Sequence, residues 1–72
     1  MKEVLSPQLK AGRALRRLIE ENFPSQEEFA NQYYVDVRTI SRYINNGINK
    51  IDVIQDLAEK FDVPFEYFFQ DN

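Results

Sequence analysis

Two arginines lie one helical turn apart in the span 36–46, among short polar and aliphatic side chains. Helical spacing places the residues able to contact base edges on one side of this span, and these are Val37, Arg38, Ser41 and Arg42. Arginine offers a bidentate donor pair to guanine, and valine offers a methyl contact to thymine. The other side collects apolar residues for a core, namely Ile40, Tyr43 and Ile44. The span therefore predicts a helix that presents a polar face to nucleic acid.

A second set of polar side chains surrounds this helix and suits contacts to phosphate, which fix the register of a protein on DNA. Gln26 lies at the start of the preceding helix, where its amide can bond a phosphate beside the helix N-terminus. The other members are Thr39, Asn45, Asn46, Asn49 and Lys50. Simpler interpretations stay open: the asparagines also suit a helix end and a loop, and Val37 also suits a half-buried packing position.

Two short capped helices are predicted to position these residues. Ser25 and Glu28 have the spacing of a capping box, which satisfies backbone donors at a helix N-terminus. This helix extends to about residue 33, and Tyr34 lies in the turn that follows it. Asp36 is a favourable N-cap for the next helix, which extends to about residue 45. The segment 45–47, Asn-Asn-Gly, favours its termination. The span 25–46 thus has the form of a helix-turn-helix, a unit whose second helix fits the major groove of DNA.

Three further helices complete the predicted domain. The first covers about 8–22, where apolar residues recur at helical spacing, and it ends before Pro24. Its basic residues Lys10, Arg13 and Arg17 are more simply explained as a solvated face. A fourth helix covers about 51–61, and a short fifth follows Pro64. Five helices without a strand signal predict an all-α fold.

Composition narrows the classes of function. The 72 residues suit one domain, 1–72, with residues 1–7 as a poorly ordered lead. The chain has neither cysteine nor histidine, which argues against thiolate or imidazole metal sites and against Ser-His or Cys-His catalysis. The sequence therefore predicts no enzyme, no metal and no cofactor. The sequence indicates no small-molecule site. The apolar runs are too short for a membrane span, and we therefore expect a cytoplasmic protein.

Charge is unevenly distributed along the chain. The net charge is −3, which taken alone argues against a nucleic acid partner. Residues 51–72, however, carry six acidic groups against Lys60, whereas residues 36–50 carry three basic groups against Asp36. Because salt screens charges beyond about 8 Å, one locally basic face is sufficient to bind DNA.

At family spacing, three motifs in this chain resemble the lambda-repressor-like, or phage-repressor/xenobiotic-response-element (XRE), helix-turn-helix family. The family pattern S-Q-x-x-L-A corresponds to residues 25–30, I-S-R to residues 40–42, and L-A-x-x-L-x-V-x-x-x-x-L to residues 57–68. The resemblance covers about residues 11–69. It implies a compact five-helix DNA-binding domain, often a repressor that acts as a dimer on a near-palindromic operator. By family position, Gln26 would bind phosphate, while Val37, Arg38 and Arg42 would face bases.

The chain departs from the family pattern in three ways. Tyr34 occupies the turn position that is usually glycine, and a positive φ there would cost about 1 kcal/mol or more. Ile19 and Ile44 replace a buried Arg–Glu pair, an exchange that is often neutral or stabilising. After the third helix, Asn46 stands where glycine is common and Gly47 follows, which shifts the expected loop by one residue.

The sequence predicts a sequence-specific, double-stranded-DNA-binding transcriptional repressor that inserts its third helix in the major groove. Because aromatic residues are enriched in interfaces, we expect Tyr67 and Phe69 of the aromatic C-terminus to lie in a homodimer interface. The alternative is a protein-interaction module of antitoxin or anti-repressor type, in which the same fold uses its acidic, aromatic C-terminal helices to bind another protein.

Overall fold

The structure is a computed structural model, and it describes residues 6–70. Over these residues it is all-helical: α1 covers Pro7–Asn22, α2 Gln26–Gln32, α3 Val37–Asn46 and α4 Ile51–Phe61, and a 3-10 helix covers Phe65–Phe69. The predicted all-α fold is confirmed, and the fifth helix has 3-10 rather than α geometry. None of the helices described is both long and apolar enough to cross a membrane.

The first helix begins earlier than the sequence predicted. Ser6 is its N-cap and accepts a hydrogen bond from the Leu9 N–H at 3.3 Å, and Pro7 opens the first turn. Ser6 and Pro7 thus belong to the start of α1 and not to the predicted, poorly ordered lead. Residues 1–5 of that predicted lead lie outside the described part of the chain.

Side-chain caps define both helices of the predicted helix-turn-helix. Ser25 Oγ accepts from the Glu28 N–H at 3.1 Å and begins α2. Asp36 Oδ1 accepts from the Arg38 N–H at 2.8 Å and begins α3. Gly47, at φ 98°, ends α3 with its own N–H bonded to the Tyr43 carbonyl. These local signals explain why the boundaries could be predicted from sequence.

The core forms where α1 crosses α3, and the 3-10 helix and α4 close it from the other side. An aromatic cluster joins α2 to α4: the rings of Phe29 and Phe61 stack at 5.1 Å, and Phe23 meets Phe29 edge-on at 5.2 Å. The largest fully buried side chains are Phe29, Phe68, Leu15, Ile19 and Ile48. Because α3 packs through its inner face alone, its outer face remains available to solvent.

Two glycines permit a close approach between α1 and the end of α3. A Cβ added to Gly12 would clash with the backbone carbonyl oxygen of Tyr43. A Cβ on Gly47 would lie 2.8 Å from the carbonyl carbon and oxygen of Gln8. The Ile48 N–H donates to the same Gln8 carbonyl at 3.0 Å. The loop after α3 is therefore held against the first turn of α1.

All three departures from the family pattern can be seen in the structure. At the last of them, Asn46 is the final residue of α3 and Gly47, with φ 98°, is its C-cap. Tyr34 has φ 57° and its ring is 95% exposed, so the turn keeps the left-handed geometry despite its non-glycine residue. Ile19 is buried in the core, and Ile44 is half-buried and packs against that core. Ile19 thus lies within the core where α1 meets α3, and Ile44 packs against the edge of that core.

Candidate nucleic-acid interface

The outer face of α3 presents both predicted arginines to solvent. The side chain of Arg38 is 89% exposed, and Arg42 one turn later is also exposed. On the inner face Ile40 is buried, while Tyr43 and Ile44 are half-buried against the core. The predicted division of α3 into a polar and an apolar face is therefore present, with two guanidinium groups on the open side.

Asp36 connects the cap of α3 to the first of these arginines. Its Oδ1 accepts the Arg38 N–H and also lies 3.5 Å from Arg38 Nε. The backbone hydrogen bond from Arg38, followed by the positive charges of Arg38 and Arg42, holds the pKa of Asp36 below its ordinary value. Asp36 is therefore ionised at neutral pH, and a carboxylate lies beside the arginines at the start of α3. Sequence reasoning had assigned Asp36 only a capping role.

Val37 and Ser41, the other predicted base contacts, are less open than the arginines. Val37 is half-buried and packs against the core, which agrees with its interpretation as a packing residue. The rest of its side chain is exposed. Ser41 is half-buried, and its Oγ accepts from Asn45 Nδ2 at 3.3 Å. This bond holds the exposed Asn45 side chain along the outer face of α3.

Four predicted polar contacts surround one depression at the C-terminal end of α3. Arg42, Asn46, Asn49 and Lys50 line it. Ser6 and Gln8 of α1 complete its wall. The depression therefore has two cations and two amides around one concave surface. Proteins use such groups to bind phosphate. The contribution of Ser6 and Gln8 was missed, because only the packing of the loop against α1 brings them there.

Asn45 lies in a different groove, between α3 and the basic face of α1. Arg13, Arg16 and Arg17 line this groove together with Asn45 and Ile44. Arg16 pairs with Glu20 at 3.0 Å, which lowers the net charge of the groove. The basic face of α1, which the sequence alone explained as solvated surface, therefore adjoins the polar face of α3.

The two remaining predicted phosphate contacts lie apart from these sites. Thr39 is half-buried and lines an apolar groove with Tyr33, Val35 and Val53. Gln26 is the first residue of α2 and is half-buried. Their proposed contacts to phosphate stay predictions.

Both residues predicted at a dimer interface lie on the 3-10 helix and are half-buried. Tyr67 contacts Arg17 of α1, and Phe69 packs against Phe65 with ring centroids 5.3 Å apart. Both also pack against the core of their own chain.

Among residues 6–70, no group of three or more acidic side chains is placed to hold a metal ion.

Comparison with known proteins adds one finding to this geometry. A family model described as helix-turn-helix matches residues 15–68, which include α2, the turn and α3. The model represents XRE-type, lambda-repressor-like proteins, a family of DNA-binding regulators and not of enzymes. No curated protein and no solved structure matches the chain. Because the family model covers most of the sequence and the fold agrees with it, the chain belongs to the XRE-type helix-turn-helix family of DNA-binding regulators.

Proposed function

We propose that the protein is a sequence-specific transcriptional repressor that inserts α3 in the major groove of double-stranded DNA. The observation that supports this most directly is the outer face of α3, on which Arg38 and Arg42 are exposed one turn apart. The first turn of a recognition helix reaches deepest into the groove. Arg38 is therefore the main base contact, with Val37 and Ser41 beside it, and Arg42 reads a base or phosphate one turn later.

The proposal places phosphate contacts on both sides of α3. The depression formed with Arg42, Asn46, Asn49 and Lys50 would hold the backbone near the C-terminal end of α3. Gln26 at the N-terminus of α2 and Thr39 would hold it on the other side. Such contacts contribute affinity for any sequence, whereas the arginine contacts to base edges provide selectivity.

A homodimer on a near-palindromic operator in the cytoplasm completes the proposal. One half-site offers a small contact area, and two-fold dimers of this family type bind half-sites about one turn of DNA apart. The half-buried rings of Tyr67 and Phe69 provide apolar surface for a second copy. Sedimentation at tens of micromolar tests this step: we expect a dimer, and a purely monomeric protein contradicts the proposed interface.

Selection of binding sites from random duplex DNA tests the proposed function as a whole. We expect an enriched sequence with two-fold symmetry. Arg38→Ala should then cost about 1–3 kcal/mol of binding free energy and relax the preference at one position. Equal affinity of the wild type and of the Arg38/Arg42 double alanine variant for the selected site would contradict the assignment.

The direction of regulation needs a separate measurement. Placed within a promoter, the selected site should lower reporter expression when the protein is present. The Arg38/Arg42 double alanine variant provides the matched control, because it changes exposed side chains and leaves the core intact. A rise in expression would instead identify an activator.

A second candidate function is a protein-interaction module of antitoxin or anti-repressor type. Two observations favour it: the net charge of −3, and an apolar groove between α2, α3 and α4 with Asp52 and Asp56 at its edge. A module without a DNA partner has no need of two exposed arginines on α3. Failure to enrich any duplex, together with binding of a basic partner protein that Asp52→Asn weakens, would favour this second candidate.

A further inference from the structure

We propose that Asp36 is a specificity-determining residue: its carboxylate orients Arg38 for guanine and itself accepts from the amino group of a neighbouring cytosine or adenine. This inference rests on the proposed function, because it assigns a role within the DNA-reading face of α3. It differs from the capping role of Asp36, which concerns the stability of the helix and which an uncharged side chain can also fill.

Capping alone does not require a carboxylate at this position. The cap bond is a single one, from the Arg38 N–H to Asp36 Oδ1. Serine, threonine and asparagine would accept that bond about equally well. The charge of Asp36 also opposes DNA binding in general, because it would lie close to phosphates. The carboxylate therefore calls for an explanation beyond the helix cap.

The geometry of the pair provides this explanation. Arg38 Nε lies 3.5 Å from Asp36 Oδ1, so the carboxylate is beside the inner edge of the guanidinium. With Nε held there, the two terminal nitrogens would be left for the O6 and N7 acceptors of guanine. In water an exposed pair of this kind contributes little. Once DNA excludes water from the face, the same attraction strengthens because the local dielectric constant falls.

The second carboxylate oxygen gives Asp36 a contact of its own. Within residues 6–70, both contacts described for Asp36, the cap and the approach of Arg38 Nε, are made by Oδ1, and the side chain is 53% exposed. In the major groove, an unpaired carboxylate oxygen accepts from the amino group of cytosine N4 or adenine N6. It repels the carbonyl oxygens of guanine and thymine at the same place. Asp36 and Arg38 together would then select a two-base step.

Asp36→Asn separates the charge from the cap, because asparagine keeps the capping oxygen. We measure affinities of wild type and variant for the selected operator, for operators changed at each base pair, and for unrelated duplex DNA at one fixed salt concentration. We expect the variant to bind unrelated DNA more tightly. We also expect its discrimination to fall about tenfold at the Arg38 position and at one adjacent position.

Glu59→Gln is the matched control, since it removes one exposed negative charge from α4, away from α3. It should leave the base preference unchanged. Thermal unfolding of Glu59→Gln should match the wild type. Asp36→Asn loses the charge but keeps the cap and should unfold slightly earlier, whereas Asp36→Ala loses both and should unfold earlier still. A change of base preference in Asp36→Asn, measured where the wild type and the variant are both folded, is a result that a capping role alone does not produce.

The outcomes distinguish this inference from the function on which it rests. If the wild type enriches no duplex, the proposed function fails and the role of Asp36 fails with it. If the wild type selects a site and Asp36→Asn shows the same discrimination at every position, the inference about Asp36 fails alone. A uniform gain of affinity for all sequences would show that Asp36 acts only as a repelling charge, which also overturns the proposal.

Discussion

Arg17 on α1 and Tyr67 on the 3-10 helix form a side-chain pair between two distant parts of the chain. Arg17 Nε donates to Tyr67 Oη at 3.4 Å, and the guanidinium carbon lies 5.7 Å from the centroid of the tyrosine ring. The sequence alone explains Arg17 as part of a solvated face, but the arginine contacts the tyrosine ring. Tyr67, which we predicted at a dimer interface, is therefore also part of the monomer fold.

A double-mutant cycle on this pair separates the ring contact from the hydrogen bond. Tyr67→Phe keeps the ring and should cost under about 1 kcal/mol of unfolding free energy, because the lost hydrogen bond is long. Tyr67→Leu removes the ring and should show a coupling of about 0.5–1 kcal/mol with Arg17→Gln in urea unfolding. The cycle is measured at two protein concentrations. Additive effects of Tyr67→Leu and Arg17→Gln at both would contradict a direct interaction.

Gly12→Ala should destabilise the protein, although alanine normally favours a helix by about 1 kcal/mol over glycine. The added methyl would meet the carbonyl of Tyr43, so α1 and α3 would have to separate. Overpacking of this kind costs about 1–3 kcal/mol. Urea unfolding checks the sign, with Arg13→Ala at the next, exposed position of α1 as the control. A more stable Gly12→Ala variant would disprove the close approach of α1 and α3.

The local signals in the sequence were sufficient to predict most of the fold. Ser25 and Asp36 act on backbone groups within three residues of themselves, so their caps could be read without knowledge of packing. Ile48 could not be assigned to the core in the same way. It lies in a polar loop and becomes buried only because Gly47 permits that loop to approach α1.

The candidate site likewise has one part that the sequence predicts and one part that depends on packing. The exposed arginines follow from the period of α3, since an amphipathic helix must turn its polar side outward. The depression shared by Lys50 and Ser6 depends on how the loop after α3 packs against α1. The contact between Arg17 and Tyr67 joins residues 50 positions apart. Neither arrangement leaves a periodic pattern in the sequence.

Tyr34→Gly should stabilise the protein. A non-glycine residue in left-handed geometry costs about 1–2 kcal/mol, and the exposed ring of Tyr34 contributes little packing. The greater freedom of glycine in the unfolded chain offsets part of the gain. We therefore expect an increase of about 0.5–1 kcal/mol in urea unfolding. Tyr34→Ala is the control: it removes the ring, keeps the unfavourable φ and should not stabilise.

Asp36 should contribute to stability in a pH-dependent manner. Its pKa is lower in the folded protein than the ordinary value of 3.8. The contribution is therefore fully present when the pH is above the pKa of Asp36 in the unfolded chain. It is lost as the pH falls through the lower pKa of Asp36 in the folded protein. Asp36→Asn keeps the cap without titrating. As the pH is lowered from neutral to below 3.8, the urea midpoint of this variant should fall less than that of the wild type. Parallel plots of midpoint against pH for the two proteins would exclude the contribution of Asp36.

Lys50→Ala tests whether the depression at the end of α3 holds phosphate. A cation that contacts the DNA backbone raises affinity for every sequence and releases counterions on binding. The variant should bind the selected operator and unrelated DNA more weakly by a similar factor, and the slope of log affinity against log salt should fall by about 1. Lys60→Ala is the matched control, because Lys60 pairs with Asp56 on α4 and lies over the Tyr33 ring. An unchanged slope for Lys50→Ala, or an equal change for Lys60→Ala, would show that the depression does not contact the backbone.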